Sequence, residues 1–75
     1  MNPENKILTK INELISEAPA DWASKVAERM GKSIDSVYAY RSGLRGMKKG
    51  LHKEVLKHLI AIINEENEET KKLLA

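Results

Sequence analysis

Arg41, Arg45, Lys48 and Lys49 fall within nine residues that also hold Gly43 and Gly46, with Gly50 following. Side chains of this kind neutralise phosphate, and glycines let the backbone approach a strand closely. The charge around them is uneven. Residues 32–58 carry Lys32, Arg41, Arg45, Lys48, Lys49, Lys53 and Lys57 against Asp35 and Glu54, a net of +5. Residues 1–31 hold five acids and four bases, and residues 59–75 hold four glutamates against Lys71 and Lys72. A polyanion would therefore meet the middle segment, although the whole chain carries only +2. Other chemistries lack their residues. There is no cysteine for a disulfide or a thiolate metal site. His52 and His58, six residues apart, lie well round a helix from each other and make no metal pair. The glycine-containing loop lacks the Gly-Lys-Ser/Thr ending of a nucleoside-triphosphate loop. No Ser/His/Asp or paired-carboxylate arrangement falls where a core this small could form a cleft. The expectation is a non-enzyme with no catalytic or metal-binding residues, no cofactor and no small-molecule ligand.

The elements that position the basic segment centre on Trp22 to Gly43. Ala23, Val26, Ala27 and Met30 share one helical face; Ile34, Val37 and Tyr40 recur at helical spacing in the following stretch, with Val37 and Tyr40 best placed to face inward. Between them, Gly31 sits where a helix ends in a left-handed residue. Ser33 sits where the next helix needs a cap. One helix stops and another starts within about three residues, the joint of a helix-turn-helix. Small Ala27 suits the close crossing that so short a turn imposes.

The order small residue, Met30, Gly31, Ser33, Val37, Tyr40 resembles the helix-turn-helix of phage Cro and repressor proteins over about 22 residues, with Lys32 in place of the usual apolar residue after the glycine. The resemblance implies sequence-specific binding of double-stranded DNA by a small transcriptional regulator, and location in the cytoplasm at the nucleoid. A helix of this kind presents its outward N-terminal positions to base edges in the major groove. The expected base contacts are Ile34, Asp35, Tyr38, Ala39 and Ser42. Ile34 and Ala39 can touch thymine methyls, and Asp35 can accept from a cytosine amino group. Ile34 packing on Met47 or the loop is the alternative. Tyr38 either donates to a phosphate or covers Arg41. The expected phosphate contacts are Lys32, Ser33, Arg41, Arg45, Lys48, Lys49 and His52. A different class of function stays open: a protein-interaction module using the helical hairpin or the face of the last helix.

The remaining chain reads as support. Beta-branched and aromatic residues are sparse and 75 residues make one domain. The expected class is all-α, a small bundle of about four helices with a long C-terminal helix. Asn2 and Pro3 suit the cap and first position of helix one, whose apolar face is Ile7, Leu8, Ile11, Leu14, Ile15 and Ala18. Pro19 ends that helix and can start the next, with Asp21 near its positive end. Trp22 is either core packing or a backbone contact. Leu44 and Met47 are expected to pin the basic loop. Helix four begins near Leu51, lined by Leu51, Val55, Leu59 and Ile62. Leu56, Ile60 and Ile63 widen its apolar arc into an edge for a homodimer, formed in solution or only on DNA. Residues 64–75 read as a polar helix end that frays, with Glu68 and Lys72 as an i,i+4 pair. No apolar run reaches membrane-spanning length.

Overall fold

The structure is a computed structural model that describes residues 3–75, and these form an all-α bundle of four helices with no strand. They are α1 (Pro3–Ile15), α2 (Trp22–Met30), α3 (Ile34–Ser42) and α4 (Leu51–Leu74). The Asn2 cap lies outside the described residues. No helix among them is long and apolar enough to cross a membrane.

The local chemistry of the α2–α3 joint works as its residues dictate. Gly31 adopts φ +67°, the left-handed conformation that a side chain resists. Its amide donates to Glu28 O (3.3 Å) and that of Lys32 to Ala27 O (3.0 Å), a Schellman ending that satisfies two orphan carbonyls. Ser33 caps α3 by accepting from the Ser36 amide at 3.1 Å, an arrangement worth about 1 kcal/mol. Gly43 closes α3 in the same way, through Gly43 N to Tyr40 O and Leu44 N to Ala39 O.

The core is built from Ile11 of α1, Trp22, Ala23, Val26 and Ala27 of α2, Val37 and Tyr40 of α3, and Val55, Leu59 and Ile62 of α4. The long helix α4 packs against each of the other three. Several sequence expectations need correction. Helix α2 starts at Trp22 and not at Pro19, whose carbonyl instead accepts the Trp22 amide at 3.1 Å. Asp21 stands at the N-cap of α2, near its positive end as expected, but makes no side-chain cap and pairs with Lys25 at 3.7 Å. Trp22 is only 7% exposed, so its ring is core and not a backbone contact. Leu44 is no anchor: the left-handed turn at Gly43 throws it outward, 80% exposed, while Met47 is half-buried. Residues beyond Ile63 are a polar helix end, as expected: α4 runs to Leu74, and every residue from Asn64 onward is exposed. Glu68 pairs with Lys71 (3.9 Å) and not with Lys72.

The largest correction is His52. Expected at the surface with a phosphate in reach, its side chain is wholly buried, and neither ring nitrogen has a hydrogen-bond partner among the described residues. It therefore cannot meet DNA. His52, Val55, Leu59 and Ile62 are three, four and three residues apart, and that spacing puts the imidazole on the core stripe. Leaving such polar atoms unpaired costs about 1–3 kcal/mol. His52→Leu should thus raise stability, by roughly 4–8 °C in melting temperature for each kcal/mol recovered. A lower melting temperature would mean that the imidazole has partners in the folded protein.

Candidate nucleic-acid interface

The candidate interface is the exposed face of α3 and the loop that follows it. Val37 and Tyr40 are buried, and this fixes the rotation of α3. Ile34 (44% exposed), Asp35, Tyr38 (46%) and Ser42 then share the outer face. Ile34 is partly covered but is not among the hydrophobics packed against the core. Ala39 is half-buried at the margin of this face. Ser42 is exposed, but its hydroxyl donates to the carbonyls of Tyr38 (2.9 Å) and Ala39 (3.2 Å) within the helix.

Tyr38 is held on both sides. Its ring meets the edge of Trp22 with centroids 5.8 Å apart at 81°. The Arg41 guanidinium lies 5.7 Å from the ring centroid, a cation–π contact worth about 0.5–1 kcal/mol at an exposed site. Covering of Arg41 by Tyr38, one of the two expected roles, is thus in place. Arg41 itself is half-buried and donates through Nη1 to Asn12 Oδ1 at 2.9 Å, and its Nε is buried without a partner among the described residues. A residue expected to face phosphate is instead drawn toward α1. Asn12 had no signal in the sequence, because it stands 29 residues from Arg41.

A second group gathers at the start of α3. The Ser36 hydroxyl accepts from Ser33 Oγ (2.9 Å) and from Arg45 Nη2 (3.3 Å). Ser33, expected at a phosphate, has its oxygen engaged in the cap, while Arg45 is folded back over the first turn of the helix. Lys32 is exposed beside it. Lys48 and Lys49 are exposed on the loop and line an open cavity of about 390 Å³ with Tyr40, Arg45 and Met47. The loop is shaped by Gly46, at φ +77°, whose carbonyl accepts from Lys49 (3.2 Å) and Leu51 (3.0 Å). Of the expected phosphate residues, Lys32, Arg45, Lys48 and Lys49 are exposed, Arg41 is half-buried against α1, and His52 is in the core.

Set against protein-family models, curated proteins and solved structures, the chain matches none of them.

Proposed function

We propose that this chain is a sequence-specific binder of double-stranded DNA, a small transcriptional regulator of the phage Cro-repressor type acting at the nucleoid. It has no catalytic role in this reading. Helix α3 enters the major groove, with Ile34, Asp35, Tyr38 and Ala39 toward base edges. Lys32, Arg45, Lys48 and Lys49 meet phosphates on either side. One observation carries the reading: the Gly31 turn and Ser33 cap set up an α3 whose exposed residues are apolar, acidic and aromatic, with Lys32 and Arg45 exposed at its first turn and Lys48 and Lys49 exposed on the loop that follows it. Such a face suits base edges, and its flanks suit phosphate.

One recognition helix reads only a few base pairs, and a single small module buries about 600–1,000 Å² on DNA. The working unit proposed here is therefore a homodimer that sets two such helices about one helical turn apart. Its edge is Leu56, Ile60 and Ile63.

Selection of bound duplexes from a random pool, at two salt concentrations, tests the reading. A consensus with two-fold symmetry is the expected result, and recovery of random sequence would sink it. Asp35→Ala should then change base preference at one or two positions, each by about 1–3 kcal/mol, more than it changes overall affinity. A uniform gain on every duplex would mean that Asp35 only repels phosphate. A second reading, a protein-interaction module, is favoured by Ile60, which is 41% exposed on α4. No shift of any duplex at low salt would favour that module.

A further inference from the structure

Beyond Ile63, α4 continues for eleven helical residues, all exposed, and among the described residues its one ion pair to another helix there is Arg29–Glu65. An isolated helix shorter than about 12–15 residues is marginal in water, so an extension like this gains from a partner. The exposed side chains suggest which one. Leu56, Ile60, Ile63, Asn67, Thr70 and Leu74 succeed one another at steps of four, three, four, three and four. That is the a/d seam of a heptad repeat, set about a quarter turn from the buried stripe of Val55, Leu59 and Ile62. Ile60 is 41% and Leu74 83% exposed; Leu56 and Ile63 are half-buried at the margin of the core.

We infer that this seam pairs with the same seam of a second copy, as a short parallel two-stranded coiled coil. Two features fix the partner and its direction. The first is Asn67, which occupies an a position, where a lone asparagine selects register and favours two strands. The second is charge. Glu66 and Lys71 lie on opposite flanks of the seam, five residues apart. In a parallel pair, Glu66 of each copy meets Lys71 of the other across the seam. In an antiparallel pair, like flank faces like flank, and these two do not meet. The contact that Lys71 makes within its own helix, to Glu68 at 3.9 Å, is exposed on both sides and competes weakly. The seam spans roughly 27 Å at 1.5 Å per residue, short of a self-standing coiled coil. Pairing is accordingly expected to be weak and to be populated only at high protein concentration. The inference gives the proposed homodimer its geometry, and its test contains no DNA, so that its failure leaves the DNA reading standing.

Because the chain has no cysteine, single substitutions report neighbours cleanly. Leu74→Cys and Ile60→Cys, each alone and oxidised at high protein concentration, are expected to yield disulfide-linked dimer well above Lys72→Cys, which lies on the far side of α4. Leu74 is so exposed that its substitution leaves the core intact. Equal yields for Leu74→Cys and Lys72→Cys would overturn the seam. Cross-linking only in a mixture of the Leu74→Cys and Ile60→Cys chains would overturn the parallel direction. In sedimentation, Glu66→Lys should lower the association constant by roughly 1.4- to 5-fold for each of the two pairs lost. Adding Lys71→Glu should restore it, and no recovery in the double variant would overturn the charge pairing.

Discussion

Replacing Gly46 by alanine is expected to remove most of the stability of the domain. Two costs coincide there. The residue stands at φ +77°, which a side chain raises by about 1–3 kcal/mol. The added Cβ would also lie 2.9 Å from Leu51 Cβ, from Leu51 Cδ1 and from Tyr40 Cδ1. Backbone or side chains must then shift, at about 1–3 kcal/mol for overpacking. Together these approach the whole stability of a domain this size, about 4–11 kcal/mol at 0.05–0.15 per residue. The reason lies in the fold: Gly46 is where the basic loop turns back onto Tyr40 of α3 and delivers the chain into α4. Gly31→Ala is the informative comparison. Gly31 has a similar φ, +67°, but no atom within 4 Å of the added Cβ, so it should show the conformational cost alone, about 1–2 kcal/mol. Thermal melts followed by circular dichroism should rank parent, Gly31→Ala, Gly46→Ala in falling order. If the two variants melt together, the loop does not pack on Tyr40 as described.

Replacing Arg45, Lys48 and Lys49 together by alanine should weaken binding to every duplex by a similar factor and flatten its dependence on salt. Each lost phosphate contact removes about 0.9 from the slope of log K against log salt, so three remove nearly three. Over a fourfold change of salt, this makes the parent's affinity fall roughly fortyfold further than the variant's. The three side chains are exposed, and none belongs to the core, so the variant should fold. Titration of one selected duplex and one random duplex at several salt concentrations gives the slope directly. An unchanged slope on both would move the basic loop off the DNA and leave Lys32 and α3 to carry the contact.

What the sequence made legible was local chemistry. Gly31 and Ser33 declare the joint because a left-handed residue and a hydroxyl cap act within three residues of themselves. The inward pair Val37 and Tyr40 follows from period alone, and with it the outward face of α3. Residue type misled where it was allowed to override spacing. Histidine reads as polar, yet the position of His52 on the Val55–Leu59–Ile62 stripe was visible in the chain and pointed inward. Leu44 erred the other way: leucine reads as an anchor, but the turn at Gly43 sets its direction. Long-range partners left no trace. Nothing in the order of residues tells Arg41 that Asn12 will be beside it, or Gly46 that Tyr40 will occupy the space where its Cβ would go.

The place of α4 in the chain has a consequence for synthesis. Val26 of α2, Val37 of α3 and Ile11 of α1 are sealed by Val55, Leu59 and Ile62, and α4 is made after the other three helices. The α2–α3 unit therefore leaves the ribosome with its apolar face uncovered. It stays that way until residues through Ile62 have emerged, a delay of about one to several seconds at 5–20 residues per second. During that interval the nascent chain offers chaperones an apolar hairpin next to a basic loop. A message broken before the codon for Ile62 yields a polypeptide with the Gly31 joint but without a sealed core, a substrate for proteolysis and not a competitor of the finished protein.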